Sequence, residues 1–137
     1  MSSHDENSIK SLLGEKLGLE FKSTGLNLDT WGRVDSWAEV DFGCKLILEV
    51  ESDQGHPTTN VLKIWPYIEE NQEACVILAH VFRIGGRSES GSRARLAAWL
   101  GNRLEKELEG RFFYRRLLWS PPSDLQGLEE LRVILRN

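Results

Sequence analysis

The chain has 137 residues, of which 40% are apolar and 28% are charged, and its formal net charge is −4. This length suits a single domain with its own core, and we predict one domain over residues 1–137. No apolar run approaches the roughly 20 residues of a membrane-spanning helix, and the start "MSSHDENSIK" lacks the form of a signal peptide. We therefore expect a cytoplasmic protein with no membrane partner.

The charges separate along the chain. Residues 1–82 carry 6 Lys/Arg against 14 Asp/Glu, whereas residues 83–116 carry 9 against 4. An acidic half beside a basic segment is compatible with a metal site next to a phosphate-binding surface. The alternative is that these charges only solvate exposed helix faces.

The apolar spacing predicts an α/β fold, with one mixed sheet and helices packed against it in the order α-β-β-β-α-β-α-β-α. In chain order, we predict helix 5–17, strand 19–23, a loop at 26–32, strands 32–41 and 44–52, helix 58–72, strand 74–82, helix 92–109, strand 111–119 and a C-terminal helix. Pro66 is expected to kink or split the second helix. The third helix has an apolar side made of Leu96, Trp99, Leu100, Leu104 and Leu108.

The two cysteines lie far apart in the sequence, each inside an apolar run. Cys44 and Cys75 have no metal-binding spacing, so we expect both to be reduced core residues. A disulfide between them stays open as the alternative.

The loop "DFG" at 41–43 sets the register of the two central strands. A three-residue loop with glycine in the left-handed position fits a type I turn followed by a G1 bulge. This register places Glu39 opposite Lys45, an opposite-charge pair, and Asp35 opposite Glu49.

Glu51 follows Glu49 by two residues, so both side chains point to the same face of their strand, beside Asp35. Three carboxylates at this spacing repel one another unless a cation lies between them. Hard oxygen ligands suit Mg²⁺, Mn²⁺ or Ca²⁺. The alternative is a salt-bridge network in which a basic side chain neutralises them, from Arg33, Lys45 or Lys63.

The aspartate in "RVDSWAEVD", the glutamate in "LILEVES" and the following helix and strand resemble the PD-(D/E)XK nuclease superfamily over residues 5–82. The resemblance implies a restriction endonuclease-like fold and metal-dependent hydrolysis of phosphodiester bonds, with DNA as the expected substrate. It implies Mg²⁺ or Mn²⁺ as the cofactor, held by Asp35, Glu49 and Glu51. It is also compatible with a homodimer.

The sequence departs from the family at the lysine of (D/E)-X-K, which Glu51 replaces. Three interpretations stay open. "EVE" is similar to a Glu-X-Glu variant that still cleaves with metal. Lys63 in "TTNVLK" stands where a lysine that has migrated to the following helix would lie, and it would then stabilise the transition state. The third interpretation is a catalytically inactive member that binds nucleic acid or protein.

Further residues are predicted near this site. The family's first helix often supplies a glutamate, for which Glu6 is the candidate, and Gln54, His56 and Asn60 follow the second strand. His56-Pro57 should turn the chain, with Thr58 or Thr59 capping the helix. His80 ends a buried strand and is expected to be a core histidine.

The basic segment is the predicted nucleic-acid contact. Arg87, Arg93 and Arg95 lie in or beside "GGRSESGSR", which leads into the N-terminus of a helix. Backbone N–H groups at such a position favour phosphate. The segment lacks the G-K-[ST] of a nucleotide-binding P-loop.

Overall fold

The computed structural model describes residues 3–52, 55–85 and 91–136. Its helices and strands, in chain order, are α1 (Ser3–Leu17), β1 (Leu26–Asn27), β2 (Arg33–Val34), β3 (Ser36–Glu39), β4 (Lys45–Val50), α2 (Pro57–Leu62), α3 (Ile64–Glu70), β5 (Val76–Arg83), α4 (Ser92–Glu107), β6 (Phe112–Ser120), β7 (Asp124–Gln126) and α5 (Leu128–Leu135). No helix within these described ranges is both long enough and apolar enough to cross a membrane.

A five-stranded mixed sheet forms the centre of the fold, with strand order β3-β4-β5-β6-β7. Strands β4, β5 and β6 are parallel, and the two outer strands run antiparallel to their neighbours. The prediction of a mixed α/β architecture is confirmed. Strand β5 is buried along all but its last residue, as expected of a central strand covered on both faces.

Both faces of the sheet are covered by helices. Leu46 and Leu48 of β4 pack in one core cluster with residues of α1 and α5. Ile47, between them, packs in a second cluster with residues of α2, α3 and α4. This division follows from the alternation of side chains along a strand.

The hairpin register is confirmed, since Glu39 pairs with Lys45 and Ser36 with Leu48. The turn itself differs from the prediction, because Phe42 and Gly43 both have positive φ, 58° and 79°. Asp35 lies in a bend between β2 and β3 rather than within a continuous strand. The preceding Val34 packs in the cluster of α2, α3 and α4.

The expected split of helix 58–72 is confirmed, although the two helices part at Lys63 and Pro66 lies in the first turn of the second one, where proline is tolerated. Other element predictions need correction. His56 is the N-cap residue of α2, not Thr58 or Thr59. The predicted loop 26–32 contains β1, and β7 was missed because it is only three residues long.

The apolar side of α4 was predicted correctly in part, since Leu104 and Leu108 are buried and Leu100 packs against the same core. Its buried residues are Ala94, Ala97, Gly101 and Leu104, whereas Leu96 and Trp99 face outward. Small side chains allow the helix to approach the sheet closely, and the larger apolar side chains are left on the opposite side.

The prediction of two reduced cysteines is wrong in this structure. Cys44 and Cys75 form a disulfide, with Cα atoms 4.6 Å apart. The parallel register explains the pairing, because Lys45 lies opposite Val76 and each cysteine comes one residue earlier.

Candidate active site

The candidate active site is a cavity of about 250 Å³ where β4 ends. The cavity is lined by Glu6, Asp35, Leu48, Glu49, Val50, Glu51, Ser52, Gly55, His56 and Asn60. The structure therefore brings together six of the residues predicted from sequence, from α1, the hairpin and the start of α2. Gln54 and Arg87 lie outside the described residues.

Glu49 and Lys63 form an ion pair beside this cavity. Lys63 Nζ lies 2.8 Å from Glu49 Oε2, and both side chains are largely buried, with exposures of 14% and 16%. Burial raises the pKa of Glu49 to about 7, although Lys63 acts in the opposite direction and Glu51 and Asp35 add to the rise. Glu49 Oε2 is buried and receives no hydrogen bond of good geometry, so the contact with Lys63 is an ion pair only.

Lys63 is held by more than this carboxylate. Its ammonium also donates to the Arg33 carbonyl and to Asn60 Oδ1, each at 3.2 Å. Of the three basic side chains predicted to neutralise the carboxylates, Lys63 is the one that reaches Glu49. Lys45 lies 3.9 Å from Glu39 instead, at the other end of β4.

Glu51 is buried, at 2% exposure, and its Oε2 accepts two hydrogen bonds. Asn60 Nδ2 and His80 Nε2 each lie 2.6 Å from this oxygen. Burial alone would raise the pKa of Glu51, but the hydrogen bonds from His80 and Asn60 bring that pKa below its ordinary value. Glu51 is therefore an ionised, acceptor-only carboxylate.

The charge on Glu51 fixes the direction of the hydrogen bonds around His80. Burial lowers the pKa of His80, so its ring is neutral and has one N–H. Because Glu51 can only accept, that proton is on Nε2, and Nδ1 must accept a bond. Tyr114 Oη lies 2.8 Å from His80 Nδ1, and burial raises the pKa of Tyr114, so its hydroxyl donates.

One hydrogen-bonded network thus runs from Tyr114 through His80, Glu51 and Asn60 to Lys63, and the ion pair of Lys63 extends it to Glu49. Sequence reasoning placed His80 in the core and gave it no link to the site. The available signal was a polar residue in the apolar run of β5, which the register sets opposite Glu49.

Two glycines make room for this network. A Cβ on Gly55 would lie 2.7 Å from Glu51 Oε1, and a Cβ on Gly101 in α4 would overlap the ring of Tyr114. Both positions therefore need glycine for the close approach of a network residue.

The other predicted residues lie at the edge of the cavity. The Ser36 hydroxyl donates to Glu6 Oε2, which ties α1 to the hairpin. Asp35 is exposed, and among the described residues its carboxylate has no hydrogen bond or ion pair. Arg93 Nη1 donates to the Gly55 carbonyl at 3.3 Å, so the start of α4 adjoins the cavity, and Arg95 is exposed two residues later.

The ligand atoms around the cavity are of the type that a hard cation prefers, but they are not arranged as a ready metal site. Glu6, Asp35, Glu49 and Glu51 supply only carboxylate oxygens, which Mg²⁺ and Mn²⁺ prefer. Within the ranges that the structure describes, however, no three His, Cys, Asp or Glu side chains form a ready metal-binding group. Asp35 and Glu49 fit best as ligands, because Glu51 Oε2 is occupied by Asn60 and His80.

Comparisons with protein-family models, with curated proteins and with solved structures each found no match.

The bond between Asn60 and Glu51 can be tested by exchanging the two groups. Asn60→Asp places a carboxylate against Glu51, and we expect it to lower the free energy of unfolding by about 1–3 kcal/mol. Adding Glu51→Gln should restore most of this loss, because amide and carboxylate then face each other again with reversed roles. Urea denaturation of the wild type, both single variants and the double variant measures the coupling free energy.

Asn60→Ala is the matched control, because it removes the hydrogen bonds without adding a charge. Adding Glu51→Gln to Asn60→Ala should raise the free energy of unfolding little. If the losses in Asn60→Asp and Glu51→Gln simply add, Asn60 and Glu51 are not coupled and the network is interrupted there.

Proposed function

We propose that the chain is a metal-dependent nuclease with a restriction endonuclease-like fold, which hydrolyses phosphodiester bonds, with DNA as the expected substrate. The observation that carries the proposal is the ion pair between Lys63 Nζ and Glu49 Oε2, 2.8 Å apart. It supports the interpretation in which a helix supplies the lysine that is missing from "EVE" on the strand.

The proposed metal is Mg²⁺ or Mn²⁺, with Asp35 and Glu49 as ligands and Glu51 Oε1 as a further ligand or general base. When bound, such an ion acidifies a water molecule and neutralises phosphate charge. Lys63 would place its fixed positive charge beside the scissile phosphate and stabilise the charge that develops there. Asn60 and His80 would hold Glu51 in place.

The second candidate is a catalytically inactive member of the same fold that binds nucleic acid or protein. The observation that favours it is that protein groups already pair with Glu49 and Glu51, as the salt-bridge alternative requires. The predicted cytoplasmic location and the homodimer stay predictions.

Metal binding should depend on the two proposed ligands. Calorimetry with Mn²⁺ at pH 8, where Glu49 is ionised, should show a site in the wild type that Asp35→Ala and Glu49→Ala lose. Asp41→Ala is the control, since Asp41 is an exposed acid at the turn of the same hairpin. If both ligand variants bind Mn²⁺ as the wild type does, the ligand assignment is wrong.

Nicking of supercoiled plasmid DNA tests the activity itself. We expect nicked product with Mg²⁺ or Mn²⁺ and none with a chelator. Absence of cleavage of any DNA or RNA with either ion would reject the nuclease in favour of the binding module.

A further inference from the structure

The outer face of α4 joins a large exposed aromatic residue with basic side chains. Trp99 is 65% exposed and Leu96 is 58% exposed. Arg95 and Arg103 lie one helical turn before and after Trp99, and Lys106 lies about two turns after it. Exposed apolar surface of this size rimmed by polar groups marks an interaction site more often than chance.

Basic side chains outnumber acidic ones on this face of α4. Glu107 is the acid that pairs with Arg103, at 3.0 Å, whereas Glu105 turns away to Arg115 at 2.7 Å. With Arg95, Arg103 and Lys106 beside one glutamate, the face has a positive formal charge on a chain whose net charge is −4. Such a local reversal of sign is complementary to a polyanion.

The same charges argue against a second copy of the chain as the occupant. A two-fold interface would bring this face against itself and place its basic side chains together. A polyanion with flat, unstacked aromatic rings would complement the positive charge of this face and could stack its rings on the indole of Trp99. Single-stranded nucleic acid has both properties, whereas in a duplex the bases are already stacked on each other.

The helix that carries this face begins beside the candidate active site. Arg93, at the start of α4, donates to the carbonyl of Gly55, which lines the cavity. Trp99 is six residues further along, which is roughly 9 Å along the helix axis and about a third of a turn around it. A strand bound at Trp99 would therefore reach the cavity by passing from the outer face to the side of α4 near its N-terminus.

We propose that the outer face of α4 docks single-stranded nucleic acid, with a base stacked on Trp99 and the backbone along Arg95 and Arg103. This inference deepens the proposed function and rests on it for the use of the cavity. Binding measured without divalent cations separates the two, because docking needs no metal and cleavage does.

The test is fluorescence anisotropy of a labelled oligothymidylate of about 12 nucleotides, in the presence of a chelator. Trp99→Ala should weaken binding roughly 5- to 150-fold, and Trp99→Phe should retain most of the affinity, because both rings can stack on a base. Trp31→Ala is the matched control, since Trp31 is also exposed and its indole is bonded to Glu70. Arg103→Glu should reduce the log–log salt slope by about 0.7.

Two results would overturn the proposal. One is oligothymidylate affinity that is unchanged in Trp99→Ala or no tighter than for a duplex of equal length. The other is a wild-type dimer that Trp99→Ala dissociates in sedimentation, which would assign this face to self-association. Tight, Trp99-dependent binding without any cleavage supports the docking face and rejects the nuclease, whereas cleavage with Trp99-independent binding does the reverse.

Discussion

Lys63→Ala should lower the rate of metal-dependent cleavage by about 10²–10³-fold, the usual effect of removing one group that stabilises transition-state charge. Lys63 is the proposed cation of the site, and its two hydrogen-bond acceptors, the Arg33 carbonyl and Asn60 Oδ1, hold its ammonium beside Glu49. Its removal also takes away a charge that lowers the pKa of Glu49. The two proteins should therefore be compared over a pH range from about 7 to 9.5, because a higher pKa of Glu49 in Lys63→Ala shifts the pH profile, whereas loss of the lysine charge lowers its plateau.

Lys45→Ala is the matched control for this variant. Lys45 also pairs with a glutamate, but it lies at the end of β4 that is far from Glu49, where both side chains of the pair are more exposed. We expect it to cleave at the wild-type rate. If Lys63→Ala cleaves normally while Glu51→Ala does not, Glu51 has the catalytic role and the Glu-X-Glu interpretation is correct.

Glu49→Gln should stabilise the fold relative to the wild type at pH 8 but not at pH 5. The fold raises the pKa of Glu49 from 4.5 to about 7, so between these values the native state holds more protons than the unfolded state. Wild-type stability from this group therefore falls as the pH rises through that window and stays low above it. This pKa shift corresponds to a loss of about 3 kcal/mol at most in the free energy of unfolding at pH 8. Glutamine cannot ionise, so Glu49→Gln avoids this loss.

Urea denaturation of both proteins at several pH values between 4.5 and 8.5 measures this difference. Other titrating groups are shared and largely cancel in the comparison. Glu39→Gln is the control, because Glu39 is half exposed in a surface pair that contributes little. A Glu49→Gln difference that is flat with pH would mean that Glu49 is ionised throughout, and the argument from burial would fail.

The hairpin could be predicted because its determinants are local. The pairing of Glu39 with Lys45 and the glycine of the turn lie within seven residues, so charge and turn chemistry were enough to set the register. The spacing of Glu49 and Glu51 along their strand predicted that both face one site, and the register added Asp35, which also lines the cavity. The mixed sheet was predicted from apolar runs separated by helices, but which strands are parallel was not.

The partners of the carboxylates could not be predicted, because they come from distant segments. His80 is 29 residues from Glu51, and Tyr114 is 34 residues from His80. These side chains meet only once β5 and β6 have aligned in parallel, and no local pattern specifies that alignment. For the same reason, the disulfide between Cys44 and Cys75 could be given only as the alternative to two reduced cysteines.

The prediction of which side of α4 is buried was partly wrong, for a different reason. Sequence reasoning assigned the largest apolar side chains, Leu96 and Trp99, to the core. The helix instead turns alanines and Gly101 toward the sheet, where Gly101 lies against the ring of Tyr114. The side of α4 that faces the sheet is therefore decided by the small size of its residues rather than by their hydrophobicity. The spacing of the large apolar residues in the sequence does not reveal this.

Gly101 also changes how this protein should be engineered. Replacing a mid-helix glycine by alanine is a routine way to stabilise a protein, with a gain of about 1 kcal/mol from helix propensity. Here the added methyl group would displace Tyr114, the outermost support of His80 and Glu51. A design scheme based on helix propensity would thus select Gly101→Ala. That substitution lies far from the cavity in sequence, yet it would disturb the network that supports the cavity.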